Sequence, residues 1–221
     1  MYDAVIFDND GVLVSRTPYD VLQEAVWATF DAAGVADPDP SLVESMTIDV
    51  SPAEVRQVCD TYGLDPEAFW ARRDRLSAER QQAEARAGRK TPYEDVPALD
   101  RLSVPAGIVS SNQQSTVDFL LDHFGLDSYF GVAVGREPTL ESLTRKKPAA
   151  HYLDQAIEAL DAESALFVGD NDSDMQAAEN AGVDSAFIRR PHRRDHHPSP
   201  TPTHVVDDLH EIVGLCRPPV Q

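Results

Sequence analysis

The chain has little positive charge for its size. Among 221 residues, 19 are lysine or arginine and 38 are aspartate or glutamate, which gives a formal net charge of −19. Lysine is especially scarce and occurs only as Lys90, Lys146 and Lys147. A protein that binds nucleic acid or an anionic membrane surface normally presents a basic face. The composition therefore argues against both kinds of partner, and an anionic ligand would need a local source of positive charge.

Cysteine and long apolar runs are also scarce. The two cysteines, Cys59 and Cys216, lie far apart and form no CxxC pattern, which is typical of a reducing compartment and of buried thiols. The N-terminus has no cationic start, and its apolar run at residues 4–7 is shorter than a secretory signal or a membrane helix requires. We therefore expect a cytoplasmic location and no membrane partner.

What the chain has in excess is acid. A surplus of carboxylates with few lysines is similar to the proteins of salt-accumulating microbes, in which hydrated carboxylates maintain solubility in brine. The composition favours such a halophilic origin over an ordinary acidic mesophilic enzyme. Hydrophobic residues make up 42% of the chain, so it can bury a core, and its length suits one domain with a smaller insertion.

Two kinds of periodicity divide the chain. Residues 3–8 have the pattern of a buried strand, whereas residues 18–91 have apolar residues at three- and four-residue spacing, which indicates helices. After Pro92, short apolar strands alternate with helices. The predicted strands are 104–109, 132–134, 165–168, 185–188 and 205–206, and the predicted helices between them are 116–124, 148–160 and 172–181.

This alternation predicts the fold class and the domain organisation. Strand–helix alternation with apolar strands is typical of an α/β fold with a doubly wound parallel sheet covered by helices on both faces. One strand precedes the helical stretch and the others follow it. We therefore expect an α/β core formed by residues 1–15 and 92–221, with a helical module, residues 16–91, inserted into it.

Polar side chains follow the predicted strands, at the edge where parallel sheets bind ligands. The clusters are Asp8-Asn9-Asp10-Gly11 after the first strand, Ser110-Ser111-Asn112 after the second, Arg145-Lys146-Lys147-Pro148 before a helix, and Gly169-Asp170-Asn171-Asp172-Ser173-Asp174 after the fourth. Carboxylates that converge repel one another unless a cation or a shared proton relieves the repulsion. Because oxygen ligands of this kind suit Mg²⁺, the sequence predicts a magnesium site there.

Four motifs carry a resemblance to a known family. The strings VIFDNDGVLV, IVSSN, KKP and VGDNDSDMQAAENAG resemble, in order and spacing, the four motifs of the haloacid-dehalogenase-like (HAD) superfamily. The chain is most similar to the phosphoglycolate-phosphatase and phosphoglucomutase branch, whose members insert a helical cap after the first motif. The resemblance implies a Rossmann-like core, with residues 16–91 as the cap.

The resemblance also implies a role for each motif residue. Asp8 would attack phosphorus and become an aspartyl phosphate. Asp10 would protonate the departing alkoxide and then activate the water that hydrolyses the intermediate. Ser110 would bind the phosphoryl oxygens, and Lys147 would neutralise the developing charge and orient Asp8. The residues implied in support of phosphate binding are Gly11, Ser111 and Asn112.

In this family a magnesium ion completes the site. The resemblance implies that Asp8, the backbone carbonyl of Asp10 and Asp170 hold the Mg²⁺, with Asp174 as a ligand directly or through water. Phosphoryl transfer depends mainly on positioning and on charge stabilisation by a metal and a cation, which agrees with this residue set.

The resemblance implies a Mg²⁺-dependent phosphomonoesterase for a small phosphorylated metabolite, either phosphoglycolate-like or a sugar phosphate. A phosphomutase of the same fold is the alternative. A 2-haloacid dehalogenase fits less well because it lacks a second motif aspartate such as Asp10. Phosphonate hydrolysis uses a lysine of the cap, and only Lys90 lies near it, at its far boundary.

Several assignments stay open at the level of sequence. Ser110 and Ser111 both fit the second motif, where Ser110 is preferred because it follows the strand directly. Lys146 and Lys147 both fit the third, where the following proline favours Lys147. The arginines of the helical module that could meet a carboxylate or a second phosphate of the substrate are Arg16, Arg56, Arg72, Arg73 and Arg75. Residues 189–204, rich in proline, arginine and histidine, are interpreted as an irregular loop, and the sequence has no signal for an oligomeric state.

Overall fold

One parallel sheet forms the frame of the protein. A computed structural model describes residues 2–216, so residues 1 and 217–221 of the predicted core lie outside the described residues. Its strands are β1 (Ala4–Phe7), β2 (Ala106–Gln113), β3 (Val132–Arg136), β4 (Ala165–Gly169), β5 (Asp184–Ile188) and β6 (His204–Val206). Within the described residues they form one sheet in the order β3-β2-β1-β4-β5-β6, and every neighbouring pair is parallel.

Helices separate the strands and cover the sheet. The helices are α1 (Tyr19–Ala32), α2 (Pro40–Ser45), α3 (Pro52–Tyr62), α4 (Pro66–Arg86), α5 (Gln114–Phe124), α6 (Ser142–Arg145), α7 (His151–Ala159), α8 (Asp172–Ala181) and α9 (Leu209–Leu215). The predicted α/β fold with a Rossmann-like parallel sheet is confirmed. Among residues 2–216, no helix is both long enough and apolar enough to cross a bilayer.

The central strand β1 is buried on both faces. Val5 and Phe7 belong to one hydrophobic cluster, whereas Ile6 belongs to another on the opposite face of the sheet. Because successive side chains of a strand point to opposite faces, this division shows that helices cover both sides. The strand therefore reads as a continuous apolar run, and its carboxyl end places the next residue, Asp8, in the interior.

The helices α1–α4 lie between β1 and β2 and pack around a separate hydrophobic cluster that includes Phe30, Val55 and Trp70. A capping box formed by Ser51 and Glu54 starts α3. The two connections to the sheet run side by side, since the backbone N–H of Ser15 donates to the carbonyl of Thr91 at 2.8 Å. We refer to α1–α4 as the inserted helices.

The largest differences from the predicted element boundaries are at the end of β2 and the start of α7. The strand β2 continues to Gln113, four residues beyond the predicted end at Val109, because Gln113 still pairs with Arg136 of β3 after a shift in register. The helix α7 begins at His151 and not at Pro148. The preceding Lys147 turns its side chain towards the carboxyl edge of the sheet, and the helix forms only after that turn.

A buried ion pair connects the inserted helices to the sheet. The Asp74 carboxylate of α4 accepts two hydrogen bonds of 2.8 Å from the guanidinium of Arg136, at the end of β3. Gln113 donates a third hydrogen bond to Asp74, and Arg73 lies 3.5 Å from the same carboxylate. The side chains of Asp74 and Arg136 are 1% and 4% exposed, so neither charge can be solvated if its partner is lost.

We expect Arg136→Met to lower the free energy of unfolding by about 3–5 kcal/mol, because it leaves a buried carboxylate without its main partner. Chemical denaturation at pH 7 measures the change. The matched control is Arg75→Met, which breaks an exposed pair with Glu79 in the same helix and should cost less than about 1 kcal/mol. Equal losses in the two variants would contradict the buried pair's importance.

Candidate active site

Three buried carboxylates meet at the carboxyl edge of the sheet. Because Phe7 of β1 pairs with Val168 of β4, the residues that follow these strands come together. Oxygen atoms of Asp8, Asp170 and Asp174 all lie within 4.8 Å of one another, and all three residues are buried. The sequence prediction that these aspartates belong to one site agrees with where the structure places them.

A lysine lies within this group of acids. The Lys147 ammonium is 2.7 Å from Asp8 Oδ1 and 2.7 Å from Asp174 Oδ1. Burial by itself would lower the pKa of Lys147, but the carboxylates of Asp174 and Asp8 more than offset this and raise the pKa above its ordinary range. Lys146 points elsewhere, since its Nζ donates to the Val50 carbonyl of the inserted helices at 2.9 Å.

One ammonium does not balance three acids. Burial raises the pKa of Asp8 well above its ordinary value, and the neighbouring Asp174 and Asp170 raise it further against the opposing effect of Lys147. Burial also raises the pKa of Asp174, again partly offset by Lys147. A site in which carboxylates repel one another in this way has a net demand for positive charge, which a divalent cation satisfies.

The fourth strand's loop is folded tightly around Asp174 and Asp170. Asp174 Oδ2 accepts hydrogen bonds from the backbone N–H groups of Asp170 and Asn171, at 3.1 and 3.0 Å, in a capping box that starts α8. Gly11 faces Asp170 from the loop after β1, with a φ of +88°. A Cβ at this position would lie 2.5 Å from Asp170 Oδ2, so only glycine fits between the two loops.

Sequence reasoning missed the partner of Asp10. The Lys90 ammonium forms an ion pair with Asp10 Oδ1 and also donates to the Ser15 carbonyl at 2.9 Å. Lys90 is completely buried, and it lies 80 residues from Asp10 in the sequence. Burial raises the pKa of Asp10, but Lys90 and a hydrogen bond from Asn112 more than offset it, and the pKa is lowered overall. The scarcity of lysine in the chain was the only sequence signal that Lys90 has a special role.

The second predicted cluster borders the same space. Ser110 is buried and accepts a hydrogen bond from the backbone N–H of Asn112 at 3.1 Å, whereas the Ser111 carbonyl accepts one from Arg136. The Asn112 side chain donates to Asp10 Oδ2 at 3.1 Å. Both serines line the cavity, so the choice between them for phosphoryl binding stays a prediction.

These residues line a cavity of about 270 Å³ between the sheet edge and the inserted helices. Asp8, Asp10, Asp170 and Asp174 lie at its base. On its other side lie Leu22 and Trp70 of the inserted helices, and Ile48 and Val50 of the loop between α2 and α3. A cavity of this size suits a small ligand in contact with these carboxylates.

The histidine-rich segment contacts the acidic cluster from outside the cavity. His192 Nε2 lies 2.5 Å from Asp170 Oδ2, and His196 Nε2 lies 2.7 Å from Asp172 Oδ1. The segment is irregular apart from one short 3-10 helix, as predicted. Its proximity to Asp170 was not foreseen, because the sequence does not show that the loop after β5 folds back over the end of β4.

A parallel sheet with buried carboxylates and a lysine at its carboxyl edge marks the protein as an enzyme of the α/β class. The profile of the haloacid dehalogenase-like hydrolases matches residues 2–182. The chain therefore belongs to this hydrolase family, as its four motifs predicted.

Relatives and solved structures agree with the family. Pyrophosphatase PpaX of Bacillus cereus is 38% identical over 101 residues, a match that spans 45% of this chain and 45% of that relative, less than half of its length. Phosphoglycolate phosphatase of Rhodobacter capsulatus is 29% identical over 203 residues, 88% of this chain and 87% of the relative. The crystal structure of CbbY from Rhodobacter sphaeroides in complex with phosphate has a TM-score of 0.67 at 18% identity, covers 96% of each chain and shows the shared fold.

We expect Lys90→Met to raise the pKa of Asp10 above its ordinary value of about 3.9, because burial then acts on this carboxyl without a compensating ammonium. Carboxyl-carbon NMR titration of ¹³C-aspartate-labelled protein measures the shift. Lys90→Arg should keep the low pKa, and Lys146→Met should not change it. An unchanged Asp10 pKa in Lys90→Met would show that other groups stabilise this carboxylate.

Proposed function

We propose that the protein is a Mg²⁺-dependent phosphomonoesterase that hydrolyses a small phosphorylated metabolite through an aspartyl phosphate. The observation that carries this proposal is the contact of Lys147 with Asp8 inside the buried group of Asp8, Asp170 and Asp174. A carboxylate held at the base of a cavity beside an ammonium can attack an electrophile that brings negative charge with it.

The first step transfers the phosphoryl group to Asp8. A carboxylate oxygen of Asp8 forms a bond to phosphorus while the bond from phosphorus to the ester oxygen breaks, and the electron pair stays on the departing oxygen. Asp10 in its protonated form gives that oxygen a proton, so the alcohol leaves as a neutral group; Lys90, which lowers the pKa of Asp10, opposes this form. Lys147 and Ser110 stabilise the charge on the phosphoryl oxygens.

The second step regenerates the enzyme. Asp10, now a carboxylate, accepts a proton from a water molecule, and the water oxygen bonds to phosphorus as the bond to Asp8 breaks. Inorganic phosphate leaves. The contacts of Asp10 with Lys90 and Asn112 stabilise the carboxylate form that this step requires.

The residues present fit a magnesium ion. The three buried carboxylates offer hard oxygen donors. Mg²⁺ prefers oxygen donors and binds few protein groups, because it keeps several of its water ligands. Asp8, the Asp10 carbonyl, Asp170 and Asp174 would hold it, as in the family. When bound, the ion supplies positive charge that offsets the charge of the phosphoryl group.

The inserted helices complete the proposal. We assign residues 16–91 as the cap over the α/β core of residues 1–15 and 92–221, because α1–α4 form the far wall of the cavity and have their own hydrophobic cluster. A cover of this kind excludes water and selects the leaving group. The name of the relative with the longer match, phosphoglycolate phosphatase, supports a small phosphorylated substrate.

We expect hydrolysis of p-nitrophenyl phosphate with Mg²⁺, and we expect it to be lost with EDTA. Asp8→Asn should lower turnover at least about a thousandfold, because it removes the nucleophile. Release of p-nitrophenol measures both. The assay is run at low salt and in molar KCl, since the acidic composition predicts a protein adapted to salt and to the cytoplasm of a salt-accumulating cell.

The negative outcome is informative. Folded protein that releases no p-nitrophenol at either salt concentration would contradict a general phosphatase. The phosphomutase alternative then predicts transfer of ³²P from a sugar bisphosphate to a second sugar, with no net release of phosphate.

We expect His192→Ala to weaken Mg²⁺ binding about ten- to a hundredfold, because groups that hold a metal-binding carboxylate in place contribute this much to affinity. Isothermal titration calorimetry of Mg²⁺ at pH 8 measures the dissociation constant without any substrate. His197→Ala, in the same loop, is the matched control. Equal affinities for both variants would show that His192 does not position Asp170.

A further inference from the structure

The cavity is lined by five aspartates, Asp8, Asp10, Asp49, Asp170 and Asp174, and by as many cationic side chains. Its lining includes five cationic side chains, which are Arg16, Arg73, Arg136, Lys146 and Lys147. Lys147 pairs with Asp8 and Asp174, and Arg136 pairs with Asp74 through two hydrogen bonds. Arg73 is buried beside Asp74 and donates to the carbonyls of Met46 and Thr47. These three cations have their partners within the protein.

The other two have no acidic partner at ion-pair distance. Among the residues that the structure describes, no carboxylate lies within 4.0 Å of the charged nitrogens of Arg16 or Lys146. The chain has twice as many acids as bases, so a cation without an acidic partner is not what its composition favours. Both of these side chains line the same cavity.

Lys146 makes one hydrogen bond within the described residues and has N–H groups left to bind a ligand. Its ammonium donates one hydrogen bond, to the Val50 carbonyl at 2.9 Å, and an ammonium has three N–H groups. The side chain is half-buried, and burial lowers its pKa, an effect that Asp49 opposes. A partly desolvated ammonium with free N–H groups binds an anion more strongly than an exposed one.

Arg16 faces the cavity from the connection between β1 and α1. It is exposed and makes no hydrogen bond within the described residues, so its guanidinium is free. The structure also removes two other arginines that the sequence left as candidates. Arg72 donates to the Ala32 carbonyl, and Arg75 pairs with Glu79 on the outer surface of α4. Neither lines this cavity.

We propose that Lys146 and Arg16 bind a second anionic group, a carboxylate or a phosphate, on the leaving group of the substrate. This inference rests on the proposed function, because it assumes that the phosphoryl group lies at Asp8. The leaving group then lies in the cavity that Leu22, Trp70 and Leu143 line together with these two cations. The substrate class is either the phosphomonoester of a small hydroxy acid or a small bisphosphate.

The test compares pairs of ligands that differ in one anionic group. The first pair is 2-phosphoglycolate and 2-hydroxyethyl phosphate, which have the same length but a carboxylate or a neutral hydroxymethyl end. The second pair is fructose 1,6-bisphosphate and fructose 6-phosphate. Calorimetric titration of Asp8→Asn protein with Mg²⁺ gives four dissociation constants without turnover, and the two pairs distinguish a carboxylate from a phosphate.

We expect the charged member of at least one pair to bind about ten- to a hundredfold more tightly, because a charge-assisted contact adds this much affinity. Adding Lys146→Met or Arg16→Met should reduce that ratio about tenfold, with little change for the neutral member. Lys146→Arg should keep the ratio. Arg75→Met is the matched control, because it removes a cation of the inserted helices outside the cavity.

The overall charge of −19 acts against the charged ligand at long range, so a preference for it must arise locally. A ratio near one for both pairs would overturn the proposal, and so would a ratio that Lys146→Met and Arg16→Met leave unchanged. These outcomes are separate from the proposed function. A preserved ratio for the starting protein together with no phosphatase activity would retain the anion site and reject the hydrolysis.

Discussion

The site depends on how three buried carboxylates tolerate one another. Asp8, Asp170 and Asp174 come together because two adjacent parallel strands end at the same edge. Lys147 neutralises part of their charge from a third segment, the turn before α7. Carboxylates this close would raise one another's pKa and repel without such a cation. One of the three lysines of the chain is placed here, and the three carboxylates still outnumber this one ammonium.

The order of the strands decides which groups can meet. β1 lies between β2 and β4, so Asp8 has the serines of β2 on one side and the aspartates after β4 on the other. The direction of the chain across the sheet reverses at β1, and this opens a crevice at the carboxyl edge. The inserted helices cover that crevice because they leave the sheet from its central strand.

The sequence predicted the local features well and the long-range ones poorly. The limits of α8 follow from residues a few positions apart, so local rules suffice for them. The pairing of Lys90 with Asp10 and the approach of His192 to Asp170 depend on loops that are distant in sequence. Motif spacing placed Lys147 beside the acids, but no pattern showed that Lys146 turns away from them.

The chain enters and leaves the inserted helices at one place, because the connections at Ser15 and Thr91 lie side by side. An insertion whose two ends are adjacent can be exchanged between homologous proteins without altering the alignment of the strands, much as a loop can be lengthened. Lys90 lies next to Thr91 at this place, and its ammonium forms an ion pair with Asp10. Replacing the insertion up to this point would therefore also remove the buried ion-pair partner of Asp10.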